Sequence, residues 1–410
     1  MPENLNYIDL FAGAGGLSEG FIRAGFNPIA HVEMDPHACL TLKTRLAFHY
    51  LKSTGNIDSY VSYLKKQISR EELYKLVPEP LISTVINEKI SGKTIGGIFG
   101  KIDTLLEGRP VHLIIGGPPC QAYSIPGRAA DHKGMKWDSR NFLYKQYARF
   151  LERYDPQVFL FENVPGLYSA NKGKYLKSMT GCFENLGYTV DHRILDAADF
   201  GVVQRRRRVI LIGWKSGLKF QYPNFPKQGK NQTVGAVLYD LPTLKAGESI
   251  DLAPYTQVAS EYLLTAGIRN GLEFATQHIA RPHNDADLKI YKLAIRKMES
   301  NDLRLRYNEV PGALRTQKNT EAFVDRFKVV RRDDVSHTVI AHISKDGHHY
   351  IHPDPAQLRS ISVREAARIQ SFPDDFYFEP FRTSAFKQIG NAVPPLMATV
   401  IAEALKEILS

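Results

Sequence analysis

The chain has 410 residues, of which 43% are apolar and 23% are charged, a composition that is typical of a folded globular protein and not of a disordered one. No apolar run approaches the roughly 20 residues of a membrane helix, and the three cysteines, Cys39, Cys120 and Cys182, are too scattered for a disulfide framework or a zinc site. The amino terminus lacks a signal pattern, which favours the reducing cytoplasm, and the formal net charge of +10 suggests a polyanionic partner.

The first predicted element is a short apolar strand over residues 7–11, which runs into the glycine-rich stretch 12–21. Glycines after a first strand let the backbone approach a ligand, although Ser18 stands where a dinucleotide-binding fingerprint has its last glycine. A second strand over 28–32 leads to Glu33, about 20 residues later, where an acid can hold ribose hydroxyls. The combination favours an adenosine-containing cofactor, while the glycines taken alone are equally compatible with a structural turn.

Residues 37–108 are largely helical and polar, and we predict a helical insertion over about 49–105, because a compact strand–helix–strand connection needs fewer residues. The apolar run 111–115 then predicts a buried strand that Gly-Gly-Pro-Pro ends. The prolines stiffen the chain just before Cys120, at a strand end where open α/β sheets bind ligands. A free cysteine is also often no more than a small apolar residue, so both interpretations stay open.

The polar stretch 124–137 is predicted to be a loop able to close over a substrate. A helix over 141–154 leads to a strand over 157–161, which ends at Glu162. Four arginines, 205–208, precede a further strand, and alternation along that strand points Gln204, Arg206 and Arg208 to one side. Charge runs are usually solvated surface, but the position of this one beside a buried strand favours contacts with a site or with phosphates.

The composition changes after Trp214, and residues 217 to about 340 look like a separate domain. The histidines at 342, 348, 349 and 352 surround a predicted hairpin turn at Asp346-Gly347. Their spacing does not indicate a metal site, and structural or phosphate-contacting roles are the preferred interpretation. Ser362 and Glu365 form a predicted capping box for a helix over 365–370, and the apolar stripe of the final helix predicts core packing.

Six short motifs are spread over nearly the whole chain, and they are Asp-Leu-Phe-Ala-Gly-Ala-Gly-Gly at 9–16, Gly-Pro-Pro-Cys-Gln at 117–121, Glu-Asn-Val at 162–164, Gln-x-Arg-x-Arg at 204–208, Arg-Glu-Ala-Ala-Arg at 364–368 and Gly-Asn-Ala-Val-Pro at 390–394. In this order they resemble the DNA (cytosine-5)-methyltransferases of bacterial restriction–modification systems. The resemblance implies an α/β fold class: a Rossmann-like S-adenosylmethionine-dependent methyltransferase domain and a smaller target-recognition domain, with a DNA cleft between them.

The resemblance also implies the domain bounds and the path of the chain. The catalytic domain is expected over 1–216 and 384–410, and the target-recognition domain over 217–383. By the same analogy, the last helix returns to pack beside the glycine loop after the first strand. The catalytic domain is therefore expected to be discontinuous in sequence.

The catalytic roles follow from the resemblance and from the chemistry of cytosine. The 5-position is too weak a nucleophile to attack a methyl sulfonium, and a thiolate added at carbon 6 turns it into a carbon nucleophile. Cys120 is the expected thiolate, and Glu162 is the expected acid at N3, a role that needs a raised pKa. Arg208 is expected to donate to the cytosine carbonyl oxygen, and Arg206 to steady the closed loop or a phosphate. No residue is assigned to the removal of the proton at the 5-position.

The cofactor positions are carried over from the family residue by residue. The family usually places an aspartate near the end of the third strand to bind the adenine amino group; here the region 100–104 offers Lys101 or Asp103, and Asp103 is preferred. The other expected contacts are Phe11 and Met34 with the adenine, Glu33 with the ribose, Gly13, Gly15 and Gly16 with the methionine part, Gly117 and Pro119 at the methyl end, and Leu143, Asn391 and Ala392 closing the pocket.

The target cytosine must leave the duplex to be reached. The expected partners are duplex DNA and a separately encoded cognate restriction endonuclease, and the expected state is a monomer without a metal ion in the bacterial cytoplasm. The recognition sequence depends on which side chains meet which base edges, so it cannot be predicted. The expected DNA contacts are Gln121, Ser124, Arg128, Arg140 and Gln204.

Three other functions remain as alternatives. An RNA cytosine-5 methyltransferase uses the same scaffold, although the sizeable segment 217–340 favours a DNA reader. A DNA methyltransferase that acts on an exocyclic amino group carries an Asp/Asn-Pro-Pro-aromatic motif, whereas a cysteine follows Pro118-Pro119 here. A catalytically silent DNA-binding protein is disfavoured, because no catalytic position is missing.

Overall fold

The computed structural model describes residues 5–119, 143–229, 232–316, 319–321 and 324–409. No helix within these ranges is long and apolar enough to cross a membrane. The predicted closing loop over 124–137 lies outside the described residues, as do Cys120, Gln121, Ser124, Arg128 and Arg140.

A seven-stranded sheet forms the centre of the described structure. Its strands are β1 (Asn6–Leu10), β2 (Asn27–Glu33), β3 (Val85–Asn87), β4 (Leu113–Gly116), β5 (Val158–Asn163), β6 (Tyr188–Asp196) and β7 (Arg207–Lys215). The spatial order is β3-β2-β1-β4-β5-β7-β6. The first five strands in this order are parallel, whereas β7 runs antiparallel to both β5 and β6. The predicted α/β fold class is confirmed.

The helices alternate with the strands in the first half of the chain. Those before residue 217 are α1 (Gly16–Arg23), α2 (Pro36–Ser53), α3 (Ile57–Leu64), α4 (Arg70–Lys75), α5 (Glu79–Ser83), α6 (Ile95–Leu106), α7 (Leu143–Tyr154), α8 (Gly166–Ser169) and α9 (Lys174–Glu184). Those after it are α10 (Gly235–Leu238), α11 (Glu261–Thr265), α12 (Asp285–Asn301), α13 (Val363–Ile369), α14 (Arg382–Asn391) and α15 (Pro395–Leu409). Two further strands, β8 (Ser249–Pro254) and β9 (Phe274–Ile279), pair antiparallel in a separate sheet.

The central strands β1 and β4 are buried on both faces, as parallel strands covered by helices usually are. Ile8, Leu10 and Ile114 pack in one cluster with side chains of α6, α7 and α9. Tyr7 and Leu113 pack in a second cluster with side chains of α1 and α15. Burial on both faces explains why β4 appears in the sequence as a continuous apolar run, and β1 as an apolar run interrupted by Asp9, rather than as alternating patterns.

The last helix, α15, packs against the first helix, α1, as the family resemblance implied. A Cβ placed on Gly20 of α1 would lie 2.4 Å from the Cβ of Ala398 and 2.5 Å from the backbone nitrogen of Thr399. A Cβ on Gly16 would lie 2.4 Å from the carbonyl oxygen of Val393. The two helices approach this closely because glycine has no side chain. The final residues of the chain therefore support the loop that follows β1.

The predicted helical insertion over about 49–105 is wrong in one respect, because strand β3 lies inside it. Residues 85–87 pair parallel with β2 and add a further strand to the sheet. A strand of three residues shows no alternation that a sequence pattern could reveal. The rest of this stretch is largely helical, from the end of α2 to α6.

The hairpin predicted at Asp346-Gly347 is also wrong. Residues Ala341–Ser344 form a short 3-10 helix instead of a strand. Gly347 still makes a turn, with a φ of +78°, and the Asp346 side chain accepts a hydrogen bond from the backbone N–H of His348 at 3.0 Å. The 346–348 turn is thus local, and no second strand is required to form it.

The capping box predicted at the start of α13 is confirmed. Ser362 Oγ accepts a hydrogen bond from the Glu365 backbone N–H at 3.1 Å, and the Glu365 carboxylate accepts one from the Ser362 N–H at 2.6 Å. These contacts satisfy two amide protons that a helix amino terminus otherwise leaves without partners.

The domain bounds at 217 and 383 stay a prediction. One apolar cluster contains residues from both sides of each bound. Ala14 and Val203 pack in the same cluster as Val234, Ala367 and Phe386. Side chains from before 217, from between 217 and 383, and from after 383 are therefore buried together.

We expect Gly20→Ala to lower the free energy of unfolding by about 1–3 kcal/mol, the usual cost of an extra methyl group in a packed core, because its Cβ would meet the backbone of α15. Urea denaturation measures the change. Gly97→Ala is the matched control, since a Cβ at this position in α6 meets nothing within 4 Å. Replacing a helical glycine there should stabilise the protein by up to about 1 kcal/mol. Equal effects of the two substitutions would contradict the close contact of α1 and α15.

Candidate active site

The carboxyl ends of four neighbouring parallel strands meet at one edge of the sheet. Leu10 of β1 lies beside Val32 of β2 and Gly116 of β4, and Gly116 lies beside Phe161 of β5. This is the edge at which open α/β sheets bind their ligands. The predicted site residues that follow these positions are Phe11, Glu33, Gly117 and Glu162.

The loop between β1 and α1 adopts a conformation that glycine favours. Gly13 and Gly15 have φ angles of +55° and +83°, in the left-handed region. A Cβ on Gly15 would lie 2.7 Å from Cδ2 of Leu42, whereas a Cβ on Gly13 would meet nothing within 4 Å. Phe11, partly buried, precedes them with a φ of +58°. The loop is packed at Gly15 and open at Gly13, which leaves space for a ligand against the backbone.

The Glu33 carboxylate is held beside this loop by two backbone N–H groups. One oxygen accepts a hydrogen bond from Gly13 at 2.8 Å, and the other accepts one from Asp35 at 2.7 Å. Burial raises the pKa of Glu33, and the two backbone N–H donors oppose that rise. Met34, the next residue, has 58% of its surface exposed. The structure thus places a fixed carboxylate and an exposed apolar side chain next to each other at the end of β2.

Asp103 does not lie at the carboxyl edge of the parallel strands. The cofactor contact expected of it is therefore corrected. Asp103 is in the second half of α6, where it pairs with Arg153 and accepts a hydrogen bond from Tyr154 Oη at 3.1 Å. Helix α6 connects two parallel strands, so it runs back from the carboxyl edge toward the opposite one. The residue that ends the third strand is Asn87, whose side-chain amide donates to the carbonyl oxygen of Glu33 at 3.0 Å.

Glu162 and Arg208 form an ion pair at the end of β5. Arg208 Nε lies 2.7 Å from Glu162 Oε1, and the two side chains are only 11% and 14% exposed. Arg208 Nη1 also donates to the carbonyl oxygen of Arg207 at 2.8 Å. A Cβ on Gly117 would lie 2.6 Å from Glu162 Oε2. The carboxylate is therefore set against the backbone of Gly117, three residues before Cys120 in the sequence.

A narrow crevice, lined mostly by apolar side chains, lies beside the chain just after Gly117. Pro118, Pro119 and Leu143 line it together with Phe161 and Asn163 at the end of β5, and Tyr144 and Met179 complete the lining. The crevice brings Pro119 and Leu143 together, although they come from different segments of the chain. A larger cavity of about 720 Å³ is lined by residues between 255 and 273, none of which is a predicted site residue.

The DNA contact expected of Gln204 and the phosphate contact expected of Arg206 need correction, because both side chains are fully buried. The other role expected of Arg206, to steady the closing loop, falls on residues outside the described ranges. Arg206 Nη1 donates to the carbonyl oxygen of Val339 at 2.7 Å, and Nη2 donates to that of Gly390 at 3.1 Å. The amide of Gln204 donates to Gln370 Oε1 at 2.6 Å and accepts from the Val339 N–H at 2.8 Å. With no exposed surface, neither side chain can contact a DNA phosphate or base from this position. Both instead bind segments of the protein to one another.

The residues expected to close the pocket lie near the glycine loop. Ala392 is buried, and its Cβ lies 3.1 Å from the place that a Cβ on Gly16 would occupy. Asn391 is the last residue of α14 and is exposed. The structure therefore brings Ala392 to the loop after β1 and places Asn391 next to it.

Asp9, to which the sequence motifs gave no role, lies in β1, two residues before Phe11. Asp9 is 1% exposed, and its Oδ2 has no hydrogen-bond partner among the described residues. Burial, followed by the nearby charge of Glu33, raises the pKa of Asp9 well above its usual range. The available signal was a carboxylate in an otherwise apolar strand, which needs a partner or a proton.

Comparisons with known proteins identify the family of the chain. The profile of the family described as C-5 cytosine-specific DNA methylase matches residues 5–66 and 88–407. The chain is 41% identical to the type II methyltransferase M.Bpa9945I of Bacillus paralicheniformis, over 98% of this chain and 99% of that protein. It is 31% identical to the type II methyltransferase M1.HphI of Haemophilus parahaemolyticus, over 98% of this chain and 87% of that protein.

The fold is similar to that of a protein described as a DNA modification methyltransferase encoded within an Escherichia coli prophage. The TM-score is 0.66, with 25% sequence identity over 99% of each chain. The stretch outside the matched family segments, residues 67–87, contains α4, α5 and β3. The unmatched stretch is therefore shorter than the insertion that the sequence predicted.

We expect Arg206→Met to lower the free energy of unfolding by about 2–6 kcal/mol in the absence of DNA, because two buried carbonyl groups lose their donor at about 1–3 kcal/mol each. Urea denaturation measures this. Arg205→Met is the matched control, since Arg205 is exposed and its pair with Asp334, at 3.4 Å, contributes at most about 1 kcal/mol. A loss no larger than that of the control would contradict the structural role of Arg206.

Proposed function

The chain belongs to the C-5 cytosine-specific DNA methylase family and is a DNA (cytosine-5)-methyltransferase, and from this premise we propose how its residues perform the reaction. Cys120 adds to carbon 6 of a cytosine that has left the duplex, which makes the 5-position nucleophilic toward the methyl group that bound S-adenosylmethionine would supply, with S-adenosylhomocysteine as the leaving group. Loss of the proton at the 5-position to a base, with cleavage of the bond between carbon 6 and sulfur, then releases Cys120. The observation that carries the proposal is the Glu162–Arg208 ion pair set against Gly117.

The Glu162–Arg208 pair matches the edge that cytosine presents. Cytosine has two neighbouring acceptors, the ring nitrogen N3 and the carbonyl oxygen O2. In the proposed complex, the Glu162 carboxyl group shares a proton with N3 once the base is bound, and the Arg208 guanidinium donates to O2. Thymine has an N–H at position 3, which opposes a donor there. The same two groups stabilise the negative charge that develops toward N3 as the thiolate adds.

The position of Pro119 supports Cys120 as the nucleophile. Pro119 lies in the crevice with Leu143 and Phe161, at the same strand edge as Glu162, and the peptide bond ties Cys120 to it. The other two cysteines are poor candidates. Burial raises the pKa of Cys39 to about 12, so its thiol stays protonated at neutral pH, and Cys182 is on α9.

The edge at β1 and β2 fits S-adenosylmethionine, which supplies an electrophilic methyl group on a sulfonium when bound. The space over Gly13 admits a ligand against the backbone, and the Glu33 carboxylate is fixed by two N–H groups. Its remaining lone pairs can accept from ribose hydroxyls. Phe11 and Met34 offer apolar surface for the adenine, and Gly16 with Ala392 bounds the far side of the loop.

Duplex DNA is the proposed substrate, and residues 217–383 are proposed to supply the contacts that select the sequence. The net charge of +10 favours binding to the phosphate backbone. Because the similar proteins are type II methyltransferases, we place this chain as the modification enzyme of a restriction–modification system. The cognate endonuclease is then encoded separately.

Cys120→Ser should reduce the transfer of labelled methyl groups to duplex DNA by more than about 10³-fold, because a hydroxyl is a far weaker nucleophile than a thiolate at neutral pH. Scintillation counting of DNA after incubation with labelled S-adenosylmethionine measures the transfer. Cys182→Ser is the matched control and should keep the activity.

Two results would refute the proposal: labelled cytosine formed by Cys120→Ser, or transfer RNA methylated in preference to duplex DNA. Bisulfite sequencing of DNA from cells that express the chain identifies the modified base and its sequence context.

Gly117→Ala should lower kcat by about 10- to 100-fold, because the new Cβ displaces the Glu162 carboxylate, and a displacement of about 1 Å in a catalytic group can cost this much. The free energy of unfolding should change by less than about 1 kcal/mol, since the clash involves the end of a flexible side chain. Gly181→Ala in α9, where a Cβ meets nothing within 4 Å, should leave kcat nearly unchanged and, like Gly97→Ala, raise the free energy of unfolding by up to about 1 kcal/mol. A Gly117→Ala enzyme with normal kcat would mean that the position of Glu162 does not matter.

A further inference from the structure

A second cluster of chemically reactive side chains lies between β9 and α13, and it contains none of the residues at the strand edge. His283 comes just before α12, Asp287 lies in the first turn of α12, and His348 belongs to the 346–348 turn. One potential ligand atom from each of these three residues lies within 4.8 Å of the other two. Imidazole and carboxylate groups at this spacing are common metal ligands.

The local structure brings the three side chains together. His283, Asp287 and Tyr291 follow each other at intervals of four residues, which places them along one face of α12 and the turn before it. The side chain of Asn284 accepts a hydrogen bond from the Asp287 N–H at 2.8 Å and so begins the helix. On the other side, Gly347 has a φ of +78° and lets the chain turn sharply before His348.

The two histidine rings direct the same nitrogen atom toward one point. Tyr291 Oη lies 3.3 Å from Nδ1 of His283 and 2.9 Å from Nδ1 of His348. A phenol can donate one hydrogen bond and accept another, so the hydroxyl group can bridge the two rings when no ion is bound. Two imidazole rings and a carboxylate this close together also match the ligand set of a transition-metal site.

The ring of His283 is oriented by Ser360. Its Nε2 lies 3.0 Å from Ser360 Oγ, an outer contact of the kind that orients the ring in many metal sites.

Charged groups of both signs lie around the cluster. Arg281 directs its Nη atoms at the carbonyl oxygens of Ile343, Ser344 and Lys345. The other charged groups that act on His283 are Arg382 and Asp346.

We propose that His283, Asp287 and His348 bind a divalent transition-metal ion of the zinc type, with Tyr291 as a fourth ligand or as a hydrogen-bond partner. Two imidazole nitrogens select such an ion over Mg²⁺ or Ca²⁺, which prefer oxygen ligands throughout. The ion would join α12 to the 346–348 turn, two segments far apart in the chain. Its role is structural: it stabilises part of the proposed target-recognition domain and takes no part in methyl transfer.

The test is a Zn²⁺ titration of the full chain, without a histidine tag, after removal of metals with a chelator and dialysis. Isothermal calorimetry should give one more tightly bound Zn²⁺ per chain for the wild type than for His348→Gln. Asp287→Asn should weaken binding at this site by at least about tenfold, because even outer contacts change metal affinity by about 10- to 100-fold. His342→Gln is the matched control, since His342 is an exposed histidine close in sequence and outside the cluster; it should bind Zn²⁺ like the wild type.

Thermal unfolding separates the loss of a ligand from a failure to fold. Without metal, each variant should unfold cooperatively, and Zn²⁺ should raise the Tm of the wild type and of His342→Gln but not that of His348→Gln. Equal Zn²⁺ stoichiometry for the wild type and His348→Gln would overturn the proposal. A rise in wild-type Tm with inorganic phosphate and not with Zn²⁺ would also overturn it, because the arginines would then make the cluster an anion site.

Discussion

Two hydrogen bonds from one buried guanidinium join three parts of the chain that are far apart in sequence. Arg206, at the entry to β7, donates to the carbonyl oxygens of Val339 and Gly390. Gly390 in turn touches the backbone beside Val339, since a Cβ on it would lie 2.3 Å from the Ala341 nitrogen. The position of Ala392 against Gly16 follows from this junction. The loop that we propose to bind the cofactor therefore depends on an arginine that does not reach the cofactor.

The run of four arginines illustrates how one strand serves both the fold and the reaction. Arg205 and Arg207 are exposed, whereas Arg206 and Arg208 are buried. A buried guanidinium needs partners for its donors, and the two buried residues obtain them differently. Arg206 uses backbone carbonyl groups, while Arg208 uses the Glu162 carboxylate. In the proposed mechanism, the strand end that anchors the fold thus also sets the carboxyl group that faces the base.

The sequence predicted those features that depend on local patterns. The apolar runs of β1, β4 and β5 and the capping box at Ser362 are visible within a few residues, so their positions were recovered. Strand β3 was missed because a strand of three residues has no visible periodicity. Without β3, the end of the third strand could not be located, and Asp103 was assigned to it wrongly. The burial of Gln204 and Arg206 depends on segments near 339 and 390. The contact of His283 and Asp287 with His348 likewise depends on packing between distant segments, so histidine spacing could not reveal it.

The return of α15 to α1 has a consequence for how the protein is made. During synthesis, the segment with Gly16 and Gly20 leaves the ribosome long before Val393 and Ala398, which cover it in the folded protein. A nascent chain thus exposes the glycine loop without the surface that packs against it in the folded protein. Only molecules translated past α15 gain the packed loop. A fragment from interrupted translation would therefore lack the residues that cover Gly16 and Gly20.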